Sequence, residues 1–166
     1  MDKKFYQCIM LALALLVGTM AYCWAQGDEY GGVCVHVIDG DTVDIADGEQ
    51  RLHRVRITGM DAPELAQAYG RTAKAALAEL ILHKELVVHP AGEDKYGREL
   101  GTLRLAGLIG ELDVAECMVG GGHAFAWGSL HYKAQEHARE NSLGLWAEAR
   151  WQERPWLFRR RMRQTD

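Results

Sequence analysis

The sequence predicts an α+β fold in which a small five-stranded β-barrel carries three α-helices. Two observations predict it: short β-branched segments are separated by turn residues, and a stripe of apolar residues at helical spacing interrupts them before more short strands follow. At 166 residues and 48% apolar content, the chain is long enough for one domain with a sizeable core.

The first 25 residues are not expected to join this core. Lys3 and Lys4 precede an apolar run, and the small residue Ala25 follows it, as in a secretory signal peptide. We expect cleavage after residue 25 and a secreted or periplasmic protein. The alternative is an uncleaved segment that anchors the chain in a membrane, because the apolar stretch up to Trp24 is just long enough to span a bilayer.

The first three strands form a meander. Val33–Ile38 and Thr42–Ala46 flank the turn Asp39-Gly-Asp41, and Asp47-Gly48 is a two-residue hairpin signal before Leu52–Thr58. The two turns differ in composition, since Asp39-Gly-Asp41 carries one more acid than a turn needs. This extra acid marks the first turn as a candidate site.

The remaining elements alternate between helices and strands. The helix over residues 69–82 is amphipathic, and the helix after Asp113 has the capping pair Asp113 and Glu116. In chain order, the predicted elements are a helix over 69–82, a strand over 86–89 closed by Pro90, a strand over 100–105, a helix from Asp113 to Val119, a strand over 123–127, a helix over 131–143 and a packed tail segment over 155–158.

A meander, then a helix, then further strands suits a small closed barrel of the OB type, whose face and loops commonly receive nucleic acid. We expect this domain to span residues 32–149. A closed barrel has no free strand edges, which is compatible with a monomer. Trp146 and Trp156 are expected in the core.

The charge argues against nucleic-acid binding through an overall positive field. The formal charge is −4, and loss of residues 1–25, with two lysines and one aspartate, lowers it to −5. The last 17 residues, however, hold six arginines. This basic tail, residues 150–166, is either a solvated end or a nucleic-acid contact, and binding must otherwise come from local clusters and metal.

Other site classes find little support. The histidines lack zinc-site spacing, no glycine-flanked serine indicates a hydrolase triad, and residues 39–50 fail the calcium-loop pattern at three positions. Two cysteines, Cys34 and Cys117, follow the predicted signal peptide. They either form a disulfide or remain free thiols packed in the core.

The stretch Arg54–Glu64 carries the chemistry. Val55 and Ile57 alternate with Arg56, and the strand then breaks near Gly59 before two carboxylates, those of Asp61 and Glu64. Carboxylates can hold a divalent cation, and a neighbouring guanidinium can bind phosphate. Together these groups are suited to phosphodiester hydrolysis.

Two further turns bear on this site. Asp41, upstream, can add a second metal carboxylate. The turn Glu93–Arg98 presents Lys95, Tyr96 and Arg98 together, although alone it reads as a solvated hairpin with Gly97 at positive φ.

Six blocks together resemble the staphylococcal nuclease-like, or thermonuclease, family, over about residues 32–160. They are Val37-Ile-Asp-Gly-Asp-Thr42, Arg56-Ile-Thr-Gly-Met-Asp-Ala-Pro-Glu64, Gln67-Ala-Tyr-Gly70, Asp94-Lys-Tyr-Gly-Arg98, Gly144-Leu-Trp146 and Pro155-Trp156.

The resemblance implies roles for these residues. The carboxylates of Asp41 and Asp61 and the carbonyl of Ala62 would hold Ca²⁺, with support from Asp39. Glu64 would orient the attacking water and accept a proton from it. Four further residues would contact phosphate. Arg56 and Arg98 would bind the reacting phosphate, and Lys95 and Tyr96 would bind a neighbouring one.

The implied activity is that of a secreted, calcium-dependent endonuclease that hydrolyses DNA or RNA with low sequence specificity and leaves 3′-phosphate ends. Two departures concern substrate binding: Phe125-Ala-Trp127 stands where well-known members have tyrosines, and the loop from Glu64 to Tyr69 is short. The alternatives are a catalytically silent nucleic-acid-binding module on the same barrel and an envelope-tethered interaction domain.

Overall fold

A closed barrel of five strands forms the centre of the fold. The computed structural model describes residues 29–106 and 110–164. The strands are β1 Tyr30–Val37, β2 Thr42–Asp47, β3 Leu52–Ile57, β4 Met60–Asp61, β5 Glu85–Glu93, β6 Glu99–Ala106, β7 Glu111–Asp113 and β8 Phe125–Ala126. The helices are α1 Gly70–Ile81, α2 Val114–Gly120, α3 Tyr132–Glu140 and α4 Pro155–Met162, with short 3₁₀ helices at Gly144–Ala147 and Ala149–Trp151.

The barrel closes through one parallel pairing. Strands β3, β2, β1, β5 and β6 follow one another as antiparallel neighbours, and β3 then pairs with β6 in parallel. Strand β7 extends the sheet beyond β6, and β4 pairs with β8 as a separate two-stranded ribbon. The predicted five-stranded OB-type barrel is therefore confirmed.

Alternation along the strands fills the barrel with apolar side chains. Alternate residues of β2 and β3 point inward, and one face of α1 covers the barrel, as its apolar stripe predicts. Burial of each such aliphatic side chain stabilises the fold by roughly 1.5–3 kcal/mol. The fully buried set includes Val43, Ile45, Val55, Ile57, Leu77, Ile81, Val88 and Leu103.

Among the differences between the predicted and observed strands, two have clear local causes. Strand β5 does not close at Pro90 but continues to Glu93, because a register shift between Pro90 and Gly92 absorbs the missing proline N–H. The β2–β3 connection is also longer than a two-residue turn. The Gln50 N–H donates to the Asp47 carbonyl over 3.0 Å, and Gln50 takes the positive φ of 63°.

The prediction of three helices is wrong, since the described residues form four α-helices. The segment expected as a packed tail is α4, which begins at the buried Pro155, where a fixed φ favours the first helical turn. Trp146 lies in the core against Phe125, with ring centroids 5.2 Å apart. Trp156, by contrast, is 41% exposed, so its assignment to the core is wrong.

Two further expectations concern cysteines and the N-terminus. Cys34 and Cys117 are both free thiols, and Cys34 is buried in the core. The expected signal peptide lies outside the described residues. Across residues 29–106 and 110–164, no helix combines the length and apolar character needed to cross a bilayer.

We predict that Gly70→Ala lowers the melting temperature. The start of α1 packs so closely on the loop before it that a methyl group at Gly70 would overlap the Glu64 carbonyl. Relief of this overlap requires the loop to move, which costs about 1–3 kcal/mol and corresponds to roughly 3–10 °C. Thermal unfolding followed by circular dichroism measures the change.

The matched control is Gly31→Ala. A methyl group there meets no heavy atom within 4 Å, and Gly31 is not at positive φ. Its melting temperature should stay near that of the parent chain. Equal melting temperatures for the two variants would contradict the close approach at Gly70.

Candidate active site

Asp41 lies at the centre of a hydrogen-bonded turn between β1 and β2. Its carboxylate Oδ2 accepts the Ala62 N–H over 2.9 Å and lies 2.6 Å from Nη1 of Arg56. Its own N–H donates to Oδ1 of Asp39 over 3.0 Å. The structure thus brings together Asp39, Asp41, Arg56 and the main chain of Ala62.

Strand register explains how Arg56 reaches this turn. Arg56 is paired with Thr42, the residue after Asp41, while Val55 and Ile57 on either side point into the core. Nη2 of Arg56 donates to Oδ1 of Asp61 over 3.0 Å. One guanidinium therefore bridges the carboxylates of Asp41 and Asp61, which are 6% and 2% exposed.

The pKa of Asp41 is raised, mainly because the side chain is buried. Burial raises it to about 7, the Arg56 guanidinium opposes that rise, and the charges of Asp39 and Asp61 add to it. Three carboxylates are thus close enough to repel one another. The arrangement favours an additional positive charge at this point.

Glu64 lies at the rim, on a loop that other contacts hold. Its N–H donates to Oε1 of Gln67 over 2.8 Å, and Nε2 of Gln67 donates to the Glu153 carbonyl over 2.9 Å. Gln67 is buried, although the sequence analysis assigned it no part in the site. It ties the loop that carries Glu64 to the segment before α4.

Arg98 reaches the site because β6 closes the barrel against β3. Its Nη1 donates to Oγ1 of Thr42 over 3.3 Å, and that hydroxyl donates to Oδ1 of Asp41 over 3.1 Å. Asp94 holds the guanidinium from the other side, accepting from Nε over 2.9 Å with Nη2 2.8 Å away. Arg98 is thus fixed one hydroxyl group away from Asp41.

Asp94 is a positioning group that sequence reasoning missed. Although partial burial acts in the opposite direction, hydrogen bonds from the backbone N–H groups of Arg98 and Tyr96 and from the Arg98 side chain lower its pKa. The sequence feature that could have identified Asp94 is its spacing of four residues from Arg98 within a turn. Gly97 takes the positive φ that the turn requires, 76°.

Lys95 and Tyr96 lie on the tip of this turn. Tyr96 is 70% exposed, and the Lys95 ammonium group lies 5.0 Å from its ring centroid. The Arg98 guanidinium lies 5.7 Å from the same centroid. The two residues therefore extend the site outward, next to Arg98 and away from the buried carboxylates.

Arg159 of α4 also belongs to this constellation, and sequence reasoning missed it. It donates from Nη1 and Nη2 to the two oxygens of Asp61, each over 3.1 Å, and from Nη1 to Oε1 of Glu64 over 2.6 Å. Although partial burial opposes it, the two carboxylates raise the Arg159 pKa further above its usual range. Among six tail arginines, nothing in the sequence singles out this one.

A cavity of about 240 Å³ opens beside the carboxylates. Its lining includes Arg56, Arg159, Asp61 and Trp127, which is 57% exposed. Cationic groups next to an aromatic ring suit a phosphate and an adjoining base. The cavity thus offers space for substrate at the edge of the buried site.

The donor set fits a hard divalent cation. Asp41, Asp61 and the Ala62 carbonyl supply oxygen only, which calcium and magnesium prefer and zinc sites rarely use alone. Within the described part of the chain, no group of three or more His, Cys, Asp or Glu side chains converges to hold a metal. Two carboxylates, main-chain oxygen and water would therefore make up the ligand shell.

Comparisons with known proteins identify relatives along most of the chain. The family model for staphylococcal nuclease homologues matches residues 54–148. Micrococcal nuclease of Shigella flexneri is 34% identical over 166 residues, covering 93% of this chain and 91% of the relative. Protein ParB of Escherichia coli is 35% identical and covers 96% and 95%, and an uncharacterized endonuclease of Escherichia coli is 32% identical and covers 78% and 85%.

The matched range contains most of β3 with Arg56, the loop with Glu64 and the turn with Arg98. The family model covers more than half of the chain, and the three relatives named above match 78% to 96% of the chain. The chain belongs to the staphylococcal nuclease family.

Proposed function

We propose that this protein is an exported, calcium-dependent nuclease that hydrolyses phosphodiester bonds in DNA or RNA with low sequence specificity. The observation that carries the proposal is the bridge of Arg56 between Asp41 and Asp61, with Arg98 held one hydroxyl group away. Buried acids and guanidinium groups from four separate segments meet at one rim of the barrel. The relatives named as nucleases support the same activity.

Asp41, Asp61 and the Ala62 carbonyl are the residues that would hold the cation. A bound Ca²⁺ would supply positive charge to a phosphate oxygen and lower the pKa of a bound water. Asp39 accepts the Asp41 N–H and so supports the turn that presents Asp41. Asp41 and Asp61 are buried. Water therefore screens the attraction between their carboxylates and the cation less than it would at the surface.

Glu64 is assigned as the group that orients the attacking water and accepts its proton. Its carboxylate lies at the half-exposed rim, where it can accept a proton as the water oxygen forms a bond to phosphorus. The bond from phosphorus to the 5′ oxygen breaks, and that oxygen takes up a proton. The products are a 3′-phosphate and a 5′-hydroxyl end.

Arg56 and Arg98 are assigned to bind the reacting phosphate. Guanidinium groups bind two phosphate oxygens at once, and they stabilise the extra negative charge of the five-coordinate transition state. Arg56 lies among the buried acids and Arg98 is held by Asp94, so both are oriented before substrate arrives. Lys95 and Tyr96, exposed on the neighbouring turn, are assigned to the next phosphate along the strand.

A second candidate function is nucleic-acid binding without catalysis on the same barrel. The presence of Arg56, Glu64 and Arg98 together favours the enzyme, because binding alone requires no base at Glu64. The exposed Trp127 ring suits both functions, since an aromatic face stacks on any base. Cleavage assays separate the two functions.

We predict that Glu64→Gln lowers kcat by roughly 100- to 10,000-fold, because the amide cannot accept the proton of the attacking water. The melting temperature should stay within a few degrees, since the side chain keeps its size at a half-exposed position. Steady-state cleavage of linear and circular DNA measures the effect. Glu140→Gln, at an exposed position on α3, is the matched control and should retain parent rates.

A second prediction concerns Asp94→Asn. The amide loses the charged contact that orients the Arg98 guanidinium, so transition-state stabilisation should weaken and kcat should fall by roughly 10- to 100-fold. The KM should change less than kcat. Unchanged kcat in Asp94→Asn would show that Asp94 does not position Arg98 for the reaction.

The cation and product ends provide a third prediction. A chelator should abolish cleavage, and added calcium should restore it, because the acids at the site repel one another and the phosphate until a cation binds. Products should carry 5′-hydroxyl ends that a kinase labels directly without prior phosphatase treatment. Full activity in chelator, or 5′-phosphate ends, would refute the proposed reaction.

A further inference from the structure

Arg159 contacts the same carboxylates that the proposed reaction uses, although it comes from the last helix. The guanidinium lies 3.1 Å from both oxygens of Asp61 and 2.6 Å from Oε1 of Glu64. These contacts join residues almost one hundred positions apart in the chain. They connect α4 directly to the chemistry at the barrel rim.

Asp61 has little capacity left for another partner in this arrangement. An ionised carboxylate offers about four lone-pair directions. Oδ1 of Asp61 accepts from both Arg56 and Arg159, and Oδ2 accepts from Arg159. Arg159 therefore uses two of these directions, and a cation that binds Asp61 must share the carboxylate with it or replace it.

Other contacts keep Arg159 in this place. The buried Pro155 starts α4, and the Glu153 carbonyl before it accepts from Gln67 of the Glu64 loop over 2.9 Å. The Arg154 guanidinium lies 5.2 Å from the ring centroid of Phe125, which pairs with Asp61 across β4 and β8. The helix is thus docked around the site, and the Arg159 contact is part of that docking.

We propose that Arg159 is a further residue of this active site, which sets the affinity for the divalent cation by competing with it for Asp61. The inference rests on the proposed function, because it assigns Asp61 to the cation. A guanidinium and a divalent cation repel each other at these distances, and both require the same carboxylate oxygens. Cation binding and the docking of Arg159 therefore oppose each other.

The coupling must act in both directions. If Arg159 weakens cation binding, then the cation must weaken the contact between α4 and the rim by the same free energy. Removal of the guanidinium should strengthen cation binding, whereas a residue that only supports the fold would weaken binding on removal. The direction of the change thus separates competition from simple structural support.

The test is calorimetric titration of calcium into the full-length folded protein without substrate, comparing the parent with Arg159→Gln. We expect the dissociation constant for calcium to fall by roughly tenfold in the variant. Arg159→Lys keeps the charge but cannot hold both oxygens of Asp61, so its dissociation constant should lie between the two. An unchanged or higher dissociation constant in Arg159→Gln would overturn the proposal.

The matched control is Arg160→Gln. Arg160 is the next residue of α4 and is exposed, so the control removes the same charge from the same helix without removing the Asp61 contact. Its dissociation constant for calcium should stay within about twofold of the parent value. An equal gain in affinity from both variants would show long-range electrostatics instead of competition, and would also overturn the proposal.

A second measurement needs no variant. Calcium should speed backbone amide exchange in α4 of the parent protein, because the helix loses its contact with Asp61. Slower or unchanged exchange in α4 at saturating calcium would contradict the competition. A parent protein that binds no calcium at all would instead refute the proposed function, which keeps the two failures apart.

Discussion

Closure of the barrel by β3 against β6 is the constraint on which the rest of the site depends. This single parallel pairing sets the start of β6 beside the end of β3, and so brings Arg98 to the turn that holds Asp41. The antiparallel pairing of Thr42 with Arg56 adds the second guanidinium. A barrel in another register would keep every residue and lose the convergence.

The site balances buried acids against guanidinium groups. Asp41 and Asp61 are nearly inaccessible to water, and such carboxylates are costly unless they are paired and hydrogen-bonded. Arg56 pairs with both, and Arg159 pairs with Asp61 and Glu64. The same pairing that makes burial tolerable also arranges positive groups where a phosphate with added negative charge would lie.

Local sequence patterns predicted much of the fold and the core of the candidate site. Alternation in β3 placed Arg56 opposite its buried neighbours, and the extra acid in the first turn pointed to Asp41. The errors have local causes. A bulge let β5 continue through Pro90, Gln50 took a conformation usually left to glycine, and the tail formed a helix because Pro155 favours a first helical turn.

The sequence by itself determined which chemical groups this protein has and how nearby ones are ordered, because hydrophobic period and turn composition act over a few residues. Only the tertiary structure decided that Arg159 belongs to the site while Arg160 stays exposed. The two have the same side chain and adjacent positions in the chain. Which of them meets Asp61 depends on how α4 docks, and docking is set by packing between distant segments.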